Sequence, residues 1–139
     1  MELDFRIVGH GWARCRISHG GRSVEMAVSH QQDALGDLIR TANQLRRATD
    51  AITFSWKVRG GEYRWSFKPV VSETQLLIER ILLDDGDAVF DARLPTEEVV
   101  RAIAIAGTNV LSDIGVERYK ERWVKHDFPL AELARITVR

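Results

Sequence analysis

The sequence predicts an α+β fold, an antiparallel sheet of about seven strands in the order βββ-α-ββββ-α with two main helices packed on one face. Three observations support this prediction. Apolar and polar residues alternate in seven short segments, which is the period of a half-buried strand. Glycine-rich or Asp-Gly turns separate neighbouring segments, as in β-hairpins. Two longer segments repeat apolar residues at helical spacing instead. We therefore expect two layers, with the uncovered face of the sheet exposed to solvent.

Length and composition are those of a single domain spanning residues 1–139. The chain is 45% hydrophobic and 29% charged, which argues against disorder. Twenty basic residues balance twenty acidic ones, so a dedicated nucleic-acid or membrane-surface protein is not expected. One cysteine, Cys15, cannot form an internal disulfide or a thiolate metal site. Because no signal peptide or long apolar span is recognised, we expect a soluble cytoplasmic protein without membrane contact.

The first thirty residues predict a meander of three strands. Gly20-Gly21 fits a two-residue hairpin loop, and Gly9–Gly11 fits a three-residue loop. These loops place every apolar residue of the three strands on one face, and a shift of one residue would break the pattern. The predicted pairs are Ile17 with Val24, Cys15 with Met26, Ala13 with Val28, Ile7 with Ala13, Phe5 with Cys15 and Leu3 with Ile17.

Residues 30–48 are predicted to form the first helix. Ser29 followed by Gln32 matches the capping box found at helix starts. Apolar residues then recur at helical spacing from Ala34 to Leu45. The helix should cover the apolar face of the sheet.

The next two strands carry most of the aromatic residues. A two-residue loop at Gly60-Gly61 would pair aromatic side chains across the strands, and such pairs stabilise a sheet by roughly 0.2–1 kcal/mol each. We expect these aromatic side chains to point to the covered face. The predicted pairs are Val58 with Tyr63, Trp56 with Trp65 and Phe54 with Phe67.

Residues 74–83 fit either a helix or a strand, and we favour a strand. A turn at Asp85-Gly86 would then set Arg80 opposite Asp91 as a cross-strand ion pair. A second helix is expected from Leu94 to about residue 124, with a kink or stop at Gly115. One further helical turn is expected at residues 130–134.

The open face of the sheet holds the candidate binding site. Arg6 is expected to face Arg14, and Lys57 to face Arg64, so two like-charge pairs lie uncompensated on the surface. Trp12 lies beside the first pair. Unpaired arginines beside an aromatic residue are typical of a surface that binds an acidic partner. Nucleic acid is less expected, because an RNA-binding sheet exposes aromatic residues on its central strands. We therefore predict a non-catalytic binding or accessory protein with an acidic protein partner.

Two alternatives stay open at this point. A small enzyme or ligand-binding domain could use a pocket at the helix–sheet edge near His30, Asp33, Asp37 and His126. A self-associating protein could form a homo-oligomer through an exposed sheet face or edge strand. The histidine spacings match no metal motif, and no phosphate-binding glycine loop or nucleophile motif is present. No catalytic residue, metal or cofactor is therefore assigned.

Several short pieces of the sequence carry a resemblance to other proteins. They are Gly11-Trp12-Ala13, Ser29 with Asp33-Ala34-Leu35-Gly36-Asp37-Leu38, Glu62-Tyr63-Arg64-Trp65, and Trp123 with His126 and Phe128-Pro129. On these pieces, which spread over most of the chain, the sequence resembles a family of small bacterial proteins of about 140 residues that have no established activity. The resemblance transfers no catalytic residue. By analogy with other small α+β bacterial proteins, it fits an accessory or immunity-like role.

Overall fold

The protein has the predicted α+β class and seven antiparallel strands, but the strands form two sheets instead of one. The computed structural model describes residues 1–83 and 85–137. Three helices, not two, complete the fold. The strands are β1 (Glu2–Ile7), β2 (Trp12–His19), β3 (Arg22–Ser29), β4 (Ile52–Val58), β5 (Gly61–Val70), β6 (Glu73–Leu82) and β7 (Asp85–Pro95), and the helices are α1 (Ala34–Leu45), α2 (Thr96–Trp123) and α3 (Leu130–Thr137).

The first sheet has the order β1-β2-β3, and its predicted registers are confirmed. Ile17 pairs with Val24 across the Gly20-Gly21 loop, and Ile7 pairs with Ala13 across the earlier loop. Alternation then places the apolar side chains of all three strands on one buried face. These side chains are Leu3, Phe5, Ile7, Ala13, Cys15, Ile17, Met26 and Val28.

The second sheet has the order β4-β5-β6-β7, and its first predicted register is wrong by two residues. Val58 pairs with Gly61, so the hairpin loop consists of Arg59 and Gly60. Gly61 itself lies in β5, where a β-carbon would overlap the carbonyl oxygen of Ile81 in the neighbouring strand. A shift of two residues keeps each side chain on its predicted face but changes its partner. The observed pairs are Trp56 with Tyr63, Phe54 with Trp65, Ile52 with Phe67, Lys57 with Glu62 and Ser55 with Arg64.

Residues 73–82 form a strand, so the prediction of a strand is confirmed and the helical alternative is wrong. The predicted turn at Asp85-Gly86 is wrong, because both residues already belong to β7. Arg80 consequently pairs with Asp87 instead of Asp91. The β6–β7 ladder also shifts by one residue after Ile78, and such a bulge cannot be placed from alternation alone.

Gln32 bonds to the edge of β4, where the two sheets meet. The backbone N–H of Lys57 on β4 donates to the side-chain oxygen Oε1 of Gln32. This bond occupies a donor on the outer edge of β4 that a neighbouring strand would otherwise use. Strand β3 contacts both β4 and β7, the outer strands of the second sheet. It therefore lies across that sheet and does not extend it.

The helices differ from prediction mainly at their ends. Helix α1 begins at Ala34 instead of residue 30, and its capping position is Asp33. The predicted capping box is wrong, because Ser29 still belongs to β3. Its carbonyl accepts from the backbone N–H of Gln32 at 3.2 Å, and Gln32 Nε2 lies 3.4 Å from its hydroxyl. Helix α2 kinks at Gly115, where φ is 77°, as predicted. The expected last turn is a full helix, α3.

The hydrophobic core lies between the first sheet, the second sheet and the helices. Phe5 packs against both Trp56 and Trp123, with ring centroids 6.4 Å apart in each case. Helix α2 could by length and composition cross a membrane, with a mean hydropathy of 1.4 over 18 residues, contrary to the expectation from sequence. Its apolar stripe nevertheless packs against β1, α1 and α3. Of the 18-residue window, 39% is buried inside the fold.

Candidate functional site

The predicted arginine face of the first sheet is neutralised. Arg6 and Arg14 do face each other across β1 and β2. However, Arg6 Nε lies 3.0 Å from a carboxylate oxygen of Asp4, and Arg14 Nε lies 2.9 Å from one of Glu25. The expectation that this pair is uncompensated is therefore wrong. Each arginine forms an ion pair with an acid on its own or the neighbouring strand. Exposed ion pairs of this kind contribute about 0–1 kcal/mol to stability.

The predicted pair of Lys57 and Arg64 is also absent. Lys57 lies opposite Glu62 in the ladder, whereas Arg64 lies opposite Ser55. The carboxylate of Glu62 is 3.8 Å from the guanidinium of Arg64. This acid therefore partly compensates Arg64.

The structure instead brings Trp12 and Lys57 together in an open groove of about 550 Å³. One side is the outer face of the first sheet near the start of β2 and the end of β3. The other side is the β4–β5 hairpin with the end of β6. We call this site the basic groove, and its lining residues are Trp12, Ala27, Ser29, Gln31, Lys57, Val58, Arg59, Tyr63 and Arg80.

Three cations of the basic groove have no acidic partner in the described part of the chain. No carboxylate oxygen of a residue in 1–83 or 85–137 lies within 4.0 Å of Lys57, Arg59 or Arg80. Asp87 is the cross-strand neighbour of Arg80 but stays outside this distance. The groove thus differs from the first-sheet face in charge, although both look equally basic in the sequence.

Two aromatic side chains complete the basic groove. Trp12 is 53% exposed, whereas the other three tryptophans of the chain are buried. Tyr63 was predicted to point to the covered face. It does lie on the inner face of the second sheet, but it is only half-buried because the sheet extends past its cover there. Aromatic rings beside cations can contact both apolar groups and the planes of carboxylates.

Backbone contacts fix the side of the groove that carries Trp12. Gly11 has a φ of 75°, and its N–H donates to the carbonyl of Arg122 at 2.7 Å. A β-carbon at Gly11 would overlap the ring of His30. These constraints set the start of β2, and alternation then turns Trp12 outward and Ala13 inward.

The alternative pocket residues lie around the start of α1 and the end of α2 and are not among the residues that line the basic groove. Arg40 binds both acids, at 2.9 Å from Asp33 and 3.0 Å from Asp37. Burial raises the pKa of Asp37, although Arg40 partly opposes this shift. Because both carboxylates are engaged by the same guanidinium, neither is a free general base. His30 packs over Gly11.

Several buried polar atoms near these residues have no hydrogen-bond partner among the described residues. They are His30 Nδ1, Asp33 Oδ1, Tyr119 Oη, His126 Nε2 and the indole nitrogens of Trp56 and Trp65. No group of three histidine, cysteine or carboxylate side chains in residues 1–83 and 85–137 could hold a metal ion. The structure therefore joins Asp33 and Asp37 through Arg40. It also buries one polar atom each of His30, Asp33 and His126 without a partner among the described residues.

Cys15 is fully buried. Burial raises the pKa of its thiol, with Asp4 adding to the shift. A thiol of this kind is not a nucleophile, in line with its prediction as a small core residue.

Three charged or aromatic residues of the basic groove were missed from the sequence, namely Arg59, Tyr63 and Arg80. Arg59 is a loop residue only in the observed register of β4 and β5. Arg80 was assigned to an ion pair with Asp91 that does not form. The available signal in the sequence was the Gly60-Gly61 pair. Only Gly60 has the positive φ of a loop residue, so Gly61 belongs to the strand.

Comparison of the chain with protein-family models, with curated proteins and with solved structures found no match. The resemblance to small bacterial proteins accordingly stays a prediction. The geometry of the basic groove is what bears on function.

Proposed function

We propose that the protein is a non-catalytic binding module that captures an acidic segment of a protein partner in the basic groove. One observation carries this proposal. Lys57, Arg59 and Arg80 line one open groove without a carboxylate partner among the described residues, beside the exposed ring of Trp12. Desolvated arginines and tryptophans are the residues that dominate protein interfaces.

The size and chemistry of the basic groove favour a short acidic segment. Its volume of about 550 Å³ accommodates a few side chains. Guanidinium groups pair with carboxylates through parallel hydrogen bonds, and Trp12 and Tyr63 can pack on the apolar residues between them. A nucleic-acid backbone needs a wider field of positive charge, which a chain with zero net charge does not supply.

The lining residues also support a binding role over a catalytic one. They include cations, aromatics, an amide and a hydroxyl, but no carboxylate or imidazole that could act as a general base next to a nucleophile. The charged outer surface and the packed α2 support a role in the cytoplasm. Capture of an acidic partner would suit an accessory or immunity-like protein.

Trp12 provides a direct test, because it is the one exposed tryptophan of the chain. A glutamate-rich peptide containing one leucine should change the fluorescence of Trp12 on titration. The Trp12→Phe variant should lose that signal. Affinity would be measured in parallel by calorimetry, which does not depend on the ring.

A matched pair of variants separates the basic groove from general charge. Lys57→Glu with Arg80→Glu should weaken peptide binding at least about tenfold, which corresponds to about 1.4 kcal/mol. Arg6→Glu with Arg14→Glu changes the net charge by the same amount but should leave the affinity nearly unchanged. Equal weakening by both variants would contradict the proposal, and so would no binding by the wild type.

A further inference from the structure

The β6–β7 hairpin ends in a surface of opposite charge to the basic groove. Leu83 is 92% exposed and Leu82 is 37% exposed, and Asp85 and Asp87 are exposed beside them. Neither aspartate forms an ion pair with a described residue. We call these four residues the acidic tip. Exposed leucines beside free carboxylates are the kind of ligand expected for the basic groove.

The acidic tip adjoins Tyr63 and Arg80, two residues of the basic groove, on one face of the second sheet. Tyr63, Arg80 and Asp87 form one row across β5, β6 and β7. In the next row, Leu82 pairs with Asp85. Positive and negative surfaces are therefore adjacent, with their boundary between β6 and β7.

This arrangement is self-complementary. A two-fold axis through the boundary of two adjacent, oppositely charged surfaces places each surface of one chain on the opposite surface of its copy. Both contacts then form at once, and the zero net charge of the chain causes no overall repulsion between the copies.

We infer that the partner of the basic groove is a second copy of this chain, whose acidic tip fills the groove. This inference rests on the proposed function and names its partner. Asp85 and Asp87 of each copy face the cations of the other, and Leu83 packs against the ring of Trp12. The dimer is held by charge on exposed residues, so it weakens as salt increases.

Sedimentation of the full chain from micromolar to submillimolar concentration tests the inference through a charge exchange. The first variant carries Lys57→Glu and Arg59→Glu, which makes the groove acidic. The second carries Asp85→Lys and Asp87→Lys, which makes the tip basic. Each variant alone should be monomeric, because its groove and tip then carry the same sign. An equimolar mixture should form a heterodimer, because both contacts are restored.

The control variant Leu83→Ser leaves all charges in place and should weaken the wild-type dimer. The same substitution added to both charge variants should not abolish their heterodimer. Circular dichroism would establish that each variant is folded. A wild type that stays monomeric throughout, or variants that dimerise as well as the wild type, would overturn the inference.

The glutamate-rich peptide distinguishes the two proposals. Peptide binding by a monomeric wild type would reject the second copy as partner and leave the acidic-segment function standing. Absence of both dimer and peptide binding would reject both.

Discussion

The two Gly-Gly hairpins look alike in the sequence but serve different purposes in the fold. Gly20 and Gly21 both have positive φ, at 58° and 80°, and a β-carbon on either would meet open space. Gly60 also has positive φ, at 85°, but Gly61 lies in a strand with Ile81 pressed against it. In the first pair, both glycines supply the left-handed backbone conformation of a turn. In the second pair, Gly60 supplies that conformation, whereas Gly61 lets two strands approach each other closely.

The comparison teaches that a glycine pair does not by itself locate a loop. Where both glycines serve the turn, the two-residue loop and the register follow, as in the first sheet. Where one glycine serves packing, the loop moves back by one residue and the register shifts by two. That shift sets Lys57 opposite Glu62 and makes Arg59 a loop residue that lines the basic groove. It therefore changes the basic groove more than the fold.

Substitution of each hairpin glycine gives the largest expected effect. Gly61→Ala should destabilise the protein by roughly 3 kcal/mol or more, because the new methyl group overlaps a backbone carbonyl that cannot retreat without breaking the ladder. Gly21→Ala should cost about 1 kcal/mol, the strain of a left-handed alanine in open space. Urea denaturation measures both. Similar losses in the two variants would contradict the distinction.

Removal of the side chain that bonds to the edge of β4 should have the next largest effect. Gln32→Ala removes the acceptor of the exposed Lys57 N–H, and the loss of this hydrogen bond should cost roughly 0.5–1.5 kcal/mol. Gln31→Ala provides the control, since Gln31 is exposed and makes no such bond to β4. Its effect should stay within about 0.5 kcal/mol. A Gln32→Ala variant as stable as the control would show that this hydrogen bond contributes no stability.

The smallest expected effect is on the pH dependence of stability. It concerns two carboxylates, each of which lies between a helix and one of the sheets. Asp37 on α1 lies near Trp56 of the second sheet, and burial raises its pKa above 3.8. Glu98 on α2 binds the amino group of Met1 at 2.6 Å beside the first sheet, and this hydrogen bond lowers its pKa below 4.5. The two shifts predict opposite dependences on pH.

A group with a raised pKa binds its proton more readily in the folded state, so folding gains stability as pH falls. Relative to Asp37→Asn, the wild type should gain stability as pH falls through the raised pKa, until about 3.8. Relative to Glu98→Gln, it should lose stability as pH falls below 4.5. Denaturation across a pH series measures both differences, and slopes of the same sign would contradict this account.

Local patterns were enough to predict the α+β class, the seven strands and the two longer helices. The seven strands, the kink at Gly115 and the registers of the first sheet all follow from alternation and turn residues. The division into two sheets does not, because alternation does not reveal contacts such as the side-chain bond between Gln32 and the backbone of Lys57. The registers of the second sheet depend on close strand contact at Gly61 and a bulge after Ile78.

The site was predicted only in part for the same reason. Trp12 and Lys57 were chosen correctly as exposed, but the arginines chosen with them, Arg6 and Arg14, are paired with acids. Such pairing depends on side-chain positions along and between strands, whereas alternation specifies only the face. Arg59 and Arg80 enter the groove through the two registers that local pattern could not fix.

The contacts made by the end of α2 have a consequence for how the protein folds. Trp123 donates its indole N–H to the carbonyl of Gln32 at 2.9 Å, across 91 residues of sequence, and the carbonyl of Arg122 accepts from the backbone N–H of Gly11. Contacts so distant in sequence form late, because a long loop must close first. During synthesis, both sides of the groove therefore leave the ribosome well before the segment that fixes them. The basic groove is then completed among the last steps of folding, after residue 123 has emerged.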